Sequence, residues 1–276
     1  MRNQIVKMSH FFQDKVVVVT GGTDGIGRAL VEQLLQKGAR VATCGRNHDK
    51  LYQLQSEYAS YPLLTIVADV SNENDCRRFI ERALKAYGTI DILINNAGIS
   101  MRAELKELQS EVLRSVMDIN FFGTVYCTKY ALDSILQQRG TIVGISSIAG
   151  YRGLPGRSGY SASKFALQGW LEANRTELLQ DGVHVMWVSP GFTASNIRNA
   201  ALVKDGSAQG ETPLDEGKLM TADECARRIL RAIEKKKRTL VMTLTGKVTV
   251  FLNKLLPGLS DRLTYNYYYK EGKLIK

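Results

Sequence analysis

Five prolines, two tryptophans and three histidines in 276 residues leave little material for several kinds of protein. No Pro/Ser-rich linker, low-complexity tract or internal repeat divides the chain, so a string of tethered modules or a solenoid is excluded. His10, His48 and His184 stand far apart without ligand spacing, and no metal centre is expected. Cys44, Cys76, Cys127 and Cys225 form no Cys-x-x-Cys pair and fall within regularly patterned segments. Buried reduced thiols are expected of them rather than disulfides or metal ligands, and with them a cytoplasmic, reducing location. No apolar run approaches the roughly 20 residues of a membrane-spanning helix. Residues 1–15 lack the apolar centre and small-residue cleavage site of a signal peptide.

What the chain does have is alternation. Apolar, strand-like runs at 15–19, 40–44, 63–68, 91–94, 141–146, 183–188 and 239–242 are separated by helical periodicity. That pattern predicts an α/β fold, a doubly wound parallel sheet with helices on both faces, in a single domain over 11–245. Val16 to Val19 are continuous valine, as expected of a strand buried on both sides, and the run stops at Gly21 and Gly22. An amphipathic helix follows, with Ile26, Leu30, Leu34 and Leu35 on one side. Glycine at 21, 25 and 27 lets backbone N–H groups and the positive helix end approach a pyrophosphate without Cβ obstruction.

A second constellation lies mid-chain. Tyr160 and Lys164 are four apart on a predicted helix and so share a face, and Ser147 lies thirteen residues upstream. At an effective dielectric near 20, unit charges ~4 Å apart interact by about 4 kcal/mol, enough to draw a tyrosine from about pKa 10 toward working pH. Lys164 is expected to do this to Tyr160. A tyrosine and a lysine four apart on a helix are common; the serine and the glycine turn give the pair its chemical meaning.

Taken in order, these motifs resemble the short-chain dehydrogenase/reductase family over residues 14–242. T-G-x-x-x-G-I-G stands at Thr20 to Gly27, N-N-A-G at Asn95 to Gly98, the strand-end serine at Ser147, the helix asparagine at Asn120 and Y-x-x-x-K at Tyr160 and Lys164, with Pro190-Gly191 after the sixth strand. The resemblance implies a Rossmann fold and a nicotinamide-dependent oxidoreductase acting on an alcohol or carbonyl. Tyr160 would be the general acid or base, Ser147 would hold the substrate oxygen, Lys164 would tune Tyr160 and bind ribose hydroxyls, and Asn120 would keep a water in a proton relay. The cofactor would rest on Gly21, Thr23, Asp24, Gly25, Ile26 and Gly27, on Arg46, on Asp69 and Val70, on Asn96, Ala97 and Gly98, on Tyr160 and Lys164, and on Pro190, Gly191, Thr193 and Ser195. Asn95 and Asn96 also read as architectural, bonding neighbouring strands.

Cofactor choice is read after the second strand, where Gly45-Arg46 replaces the carboxylate that accepts from the 2′-hydroxyl of NAD. Arg46, alone or with Asn47, suits the 2′-phosphate of NADP(H). Asp24 departs from this, because many NADP-preferring relatives carry a basic residue there. Thr193 and Ser195 also depart from the family's usual residues. An NAD-dependent alcohol dehydrogenase and a non-catalytic nucleotide-binding sensor of the same fold stay open as alternatives.

Net charge is +10, and most of it is at the end. Residues 235–276 hold ten Lys/Arg against Asp261 and Glu271. The extension 246–276 is basic and amphipathic, with Val248, Phe251, Leu252, Leu255, Leu256 and Leu259 as an apolar stripe that Pro257-Gly258 should end or bend. The stripe packs on its own protein or on a second subunit, or it touches a membrane peripherally. Stacking aromatics do not alternate with the lysines, so no nucleic-acid partner is expected. The tail and the loop around Asp205-Gly206-Ser207 resemble the branch of the family that holds the member 7 proteins, which favours an apolar small-molecule substrate. A lid over 192–219, with Ser100, Met101, Arg102, Tyr151, Leu154 and Trp187, is expected to shape the pocket. Helices at 112–135 and 160–179 are expected to form a homodimer or homotetramer interface.

Overall fold

Valine and isoleucine runs make the sheet, and their burial on both faces fixes its place at the centre of the molecule. A computed structural model of the chain describes residues 10–193, 196–210 and 219–275. Its strands are β1 (Val16–Thr20), β2 (Arg40–Gly45), β3 (Leu63–Val67), β4 (Ile92–Asn95), β5 (Thr141–Ile145), β6 (His184–Ser189) and β7 (Thr239–Val241). They form one parallel sheet in the order β3-β2-β1-β4-β5-β6-β7. β1 is buried throughout and pairs with β2 on one side and β4 on the other. The chain reverses its direction of travel across the sheet between β1 and β4, which opens a crevice at their C-terminal ends.

Helices close both faces. On one, α1 (Gly25–Gln36) packs against α7 (Ala222–Glu234), with Leu30, Val31 and Leu34 meeting Ile229, Leu230 and Ile233 over Val17 and Val19. On the other, α3 (Glu73–Tyr87), α5 (Gly123–Gln138) and α6 (Ser158–Glu177) bury Phe79, Ile80, Ala131, Ile135, Leu167 and Leu171 over Val18, Leu93 and Ile142. α2 (His48–Glu57) covers the β2–β3 end. All four cysteines are buried and unpaired.

The single helix expected over 112–135 is corrected. It is broken into α4 (Ser110–Met117), a π-helical turn at Asp118–Phe122, and α5. The wider turn lets the Asn120 amide leave the helix and bond both main-chain groups of Ile99: Oδ1 accepts from Ile99 N at 2.8 Å, and Nδ2 donates to Ile99 O at 2.9 Å. Such single π turns are frequent at functional sites.

After β7 the chain forms α8 (Leu244–Leu255) and α9 (Pro257–Tyr268), then a short antiparallel pair, β8 (Tyr269–Lys270) with β9 (Lys273–Leu274). Thr243 caps α8 through Gly246 N, and Pro257 opens α9 at a position where its missing N–H is no loss. Gly246 is buried against Ile148, where a Cβ would lie 2.6 Å from the isoleucine Cδ1. Asn253 donates to the Tyr151 carbonyl at 2.9 Å. Arg152 ties the two helices together, donating to Asn253 Oδ1 at 3.0 Å and to Asp261 Oδ1 at 2.6 Å. The extension is thus strapped to the loop that directly follows β5.

Candidate active site

The β1–α1 turn is built for close approach by a ligand. Gly21 has φ +70° and Gly25 φ +49°, values that side-chain-bearing residues rarely adopt. A Cβ on Gly27 would lie 2.1 Å from the Gly21 carbonyl oxygen. Asp24 caps α1, its Oδ1 accepting from Gly25 N at 2.8 Å, and the remaining first-turn N–H groups face the crevice end of the sheet. The neighbouring N-N-A-G turn is sewn to this one. Thr20 Oγ1 accepts from Asn96 N and Ala97 N, each at 3.0 Å, while Asn96 Nδ2 donates to the carbonyls of Thr20 and Gly21. The side chains of Asn96 and Asn95, the latter donating to Thr128 Oγ1, are therefore architectural. This shallow, glycine-lined cradle at a helix N-terminus fits a dinucleotide pyrophosphate.

At the β2 end, Arg46 is 65% exposed with one weak partner, Asp69 Oδ2 at 3.9 Å. Asn47 caps α2, its Oδ1 accepting from Lys50 N at 2.9 Å, which leaves its Nδ2 as the donor beside Arg46. A residue overlooked in the sequence stands there too: Lys50 Nζ bonds Asp24 Oδ2 at 2.7 Å. The carboxylate that looked adverse to a 2′-phosphate thus has its own cation. The signal was present, since a lysine in the first turn of α2 projects toward the adjacent β1–α1 turn. Asp69 accepts from Ser71 N and Ser71 Oγ, and Asn72 caps α3. Val70 is buried against Gly123.

Ser147, Tyr160 and Lys164 converge at the end of β5. Ser147 follows the strand, its Oγ accepts from Ala149 N at 3.1 Å, and it lies close enough to the Tyr160 hydroxyl to act on its pKa. Lys164 is 4% exposed, and its Nζ donates to the Ile145 carbonyl at 2.8 Å. An ammonium carries three donors, so two remain for a ligand such as a ribose diol. Burial pushes Lys164 down to about 8. Burial also raises the Tyr160 hydroxyl, against the lowering effects of nearby Ser147 and the Arg157 guanidinium. The expectation that Lys164 draws Tyr160 toward neutrality is corrected here. Desolvation of the hydroxyl dominates, and the ammonium lies 5.7 Å from the Tyr160 ring centroid.

Asn120 is buried, and its Nδ2 also donates to Ser163 Oγ at 2.9 Å. It flanks Gly98, where a Cβ would meet Asn120 Oδ1 at 3.1 Å and Lys164 Nζ at 3.5 Å. Around Tyr160 the walls are apolar: Met101, Val112 and Val116, with Ile99 and Leu202. Trp187 is a core residue under α6, its ring N–H donating to the Tyr151 hydroxyl at 2.8 Å, so it supports the pocket from behind rather than lining it. Pro190 and Gly191 follow β6, and Gly191 abuts Thr243. Thr193 is buried, its hydroxyl donating to the Gly191 carbonyl at 3.2 Å and its own carbonyl accepting from Arg198 at 3.1 Å. Ser195 lies outside the described residues.

Lys164 is held at an energetic disadvantage, and its removal should show it. The fall from 10.5 to about 8 corresponds to about 3 kcal/mol at ~1.36 kcal/mol per pKa unit. Between those two values the unfolded chain binds more protons than the folded one, so stability rises with pH across that window, and the full penalty applies below about 8. Lys164→Met removes the charge but leaves the Ile145 carbonyl unpaired, for a net gain of about 1–2 kcal/mol. The ligand-free variant is expected to melt roughly 3–6 °C higher at neutral pH and to lose the rise in stability above pH 8. An unchanged or lower Tm would contradict the buried-charge assignment.

The short chain dehydrogenase family model matches residues 15–205. Among similar proteins are the dehydrogenase/reductase SDR family member 7B of Mus musculus, 34% identical over 98% of this chain and 86% of that protein, and the Drosophila melanogaster dehydrogenase/reductase SDR family protein 7-like, 33% identical over 94% and 82%. Of solved structures, a short chain dehydrogenase/reductase from Burkholderia phymatum in complex with NAD has the same fold, with a TM-score of 0.80 at 22% identity over 90% of this chain and 95% of that one. An alcohol dehydrogenase from Thermococcus sibiricus complexed with 5-hydroxy-NADP gives a TM-score of 0.71 at 25% identity, over 83% and 94%. The chain belongs to the short-chain dehydrogenase/reductase family of oxidoreductases, in its member 7-like branch.

Proposed function

We propose that this protein is an NADP(H)-dependent oxidoreductase that interconverts a carbonyl and a secondary alcohol on an apolar substrate. The observation that carries the reading is the convergence of Tyr160 and Ser147 beside a buried Lys164 with two free donors, at the same sheet edge as the glycine cradle. The nicotinamide, when bound, supplies or accepts hydride at the substrate carbon. The chain's own residues handle the oxygen. Ser147 donates to it, and Tyr160 gives it a proton in reduction or takes one in oxidation. Lys164 holds the ribose hydroxyls, and Arg46 faces the 2′-phosphate while Lys50 covers the Asp24 carboxylate beside it. Burial keeps Tyr160 protonated at neutral pH, the form that gives a proton to the substrate oxygen in reduction. Met101, Val112 and Leu202 around Tyr160 support an apolar substrate, and four buried free thiols suit a reducing, cytoplasmic compartment.

Oxidation of NADPH and of NADH, followed with a panel of carbonyls of increasing apolar size, tests this reading. Turnover with NADPH on large ketones or aldehydes is expected. Cofactor binding without turnover on any member would favour a nucleotide sensor, and equal or better turnover with NADH would favour an NAD enzyme.

We also propose that α5 and α6 pair with a second copy. Phe122 and Phe165 stand exposed on or beside these helices. Light scattering at micromolar concentration is expected to give a dimer or tetramer, and a stable monomer would refute the pairing.

A further inference from the structure

The catalytic group leaves the C-terminal helices unexplained, and their surface is unlike the rest of the molecule. Of the nineteen large apolar side chains that stand well exposed among the described residues, ten lie from Leu244 onward. On α8, Leu244, Val248, Phe251 and Leu255 follow one another at i, i+4, i+7 and i+11, and Leu244 and Phe251 are 79% and 63% exposed. At ~100° per residue these four share one stripe, on the side of the helix away from Gly246 and Asn253, which hold it to the body. On α9, Leu259 and Leu263 are exposed, whereas Ser260 and Tyr268 are buried. The extension therefore does only half of what its sequence suggests. Its polar and small residues face the protein, and its apolar residues face out.

Charge decides what covers that face. Lys247 and Lys254 are exposed and lie on one flank of the α8 stripe, and Arg262 is exposed on α9. Asp261, the acidic residue within the two helices, is already paired with Arg152. An apolar stripe edged by unneutralised cations matches the acyl–headgroup boundary of an anionic bilayer, where leucines and phenylalanine sink and lysines reach the phosphates. A second copy of the same face would bury the same cation-edged patch on both subunits, Lys247, Lys254 and Arg262 twice over, with Asp261 already committed to Arg152. No helix among the described residues is long and apolar enough to cross a membrane, so the surface lies on the bilayer rather than through it.

We propose that the outer face of α8 and α9 is a docking surface for an anionic lipid bilayer, seating the substrate mouth at the membrane. The position supports the second half of that statement. α8 packs on Ile148, next to catalytic Ser147, and Thr243 before it abuts Gly191. The surface deepens the proposed activity by naming where an apolar substrate comes from, and it rests on that activity for substrate delivery alone.

Flotation of the full chain with vesicles tests docking without reading turnover, so the two proposals fail separately. The intact protein is expected to float with phosphatidylcholine vesicles containing one-third phosphatidylserine at low salt, and to be released at high salt. Lys247→Gln and Lys254→Gln should each weaken binding roughly fivefold, and the double variant Phe251→Glu, Leu255→Glu should abolish it. All four side chains are exposed, so unchanged melting curves and unchanged reduction of a small soluble carbonyl are expected of each variant. Failure of the intact protein to float at low salt would overturn the proposal, as would equal binding to pure phosphatidylcholine that the lysine variants do not weaken. Self-association that disappears in the Phe251→Glu, Leu255→Glu variant would assign the face to a second copy and overturn it as well.

Discussion

Tyr160→Phe is expected to lose carbonyl reduction by a factor of roughly 10²–10⁴ while binding NADPH as tightly as the parent. The change deletes one oxygen and keeps the ring, which packs with Met101, Val112 and Val116 and lies beside Lys164. The fold and the cradle are not touched. The deleted oxygen lies near Ser147, and nothing else at the end of β5 can replace it as a proton donor. Ser147 would still hold the substrate oxygen, but its hydroxyl is far too weak an acid. Lys164, with a pKa of about 8, is a better acid, but it donates to the Ile145 carbonyl, and its remaining donors face the Gly98 side. Single-turnover reduction with saturating NADPH, together with a cofactor titration, checks both halves of the expectation. Retention of more than about a tenth of parental turnover would remove Tyr160 from the role of acid. Lost NADPH affinity would mean that the hydroxyl positions the cofactor instead.

Why that tyrosine was legible in the sequence, and other features were not, follows from the range of the forces involved. The strands were readable because burial on both faces demands continuous β-branched runs, and Val16–Thr20 contains nothing else. The glycine turn was readable because steric exclusion is local: a Cβ on Gly27 meets a carbonyl six residues away. The Tyr160–Lys164 pair was readable as a pair because helical spacing fixes its shared face, yet the sign of the Tyr160 pKa shift was not. Desolvation is summed over every neighbour, and Met101, Val112 and Leu202 come from three distant segments. The π turn at Asp118–Phe122 was hidden for the same reason. It exists because Asn120 answers the main-chain groups of Ile99, twenty-one residues away. The amphipathic stripe of the tail was visible, and so was its break at Pro257. Which side faced the protein was decided by Ile148, Tyr151 and Arg152, which no periodicity within the tail can report.

Lys50 is the most instructive of the overlooked residues, and it sets the terms for the second large effect. Arg46→Ala is expected to weaken NADPH roughly 10- to 100-fold and NADH hardly at all, since a charge-assisted contact contributes about 1.5–3 kcal/mol and only NADPH carries the 2′-phosphate. Arg46 is exposed, and its one weak partner is Asp69 at 3.9 Å, so its loss leaves no buried group orphaned and the fold should stand. The sequence alone made Asp24 an opponent of this assignment. In the structure Asp24 is held by Lys50 at 2.7 Å and by the α1 N–H at Gly25, which neutralises most of its field. Lys50→Ala should therefore also weaken NADPH selectively, by uncovering the Asp24 carboxylate. Asp24→Asn, which keeps the capping oxygen and removes the charge, should restore affinity in the Lys50→Ala background. Fluorescence titrations of both cofactors against the four proteins measure this directly. Equal weakening of NADPH and NADH by Arg46→Ala would sink the 2′-phosphate assignment. Loss of NADPH affinity in Lys50→Ala that Asp24→Asn fails to repair would place Lys50 itself, and not the charge it covers, on the phosphate.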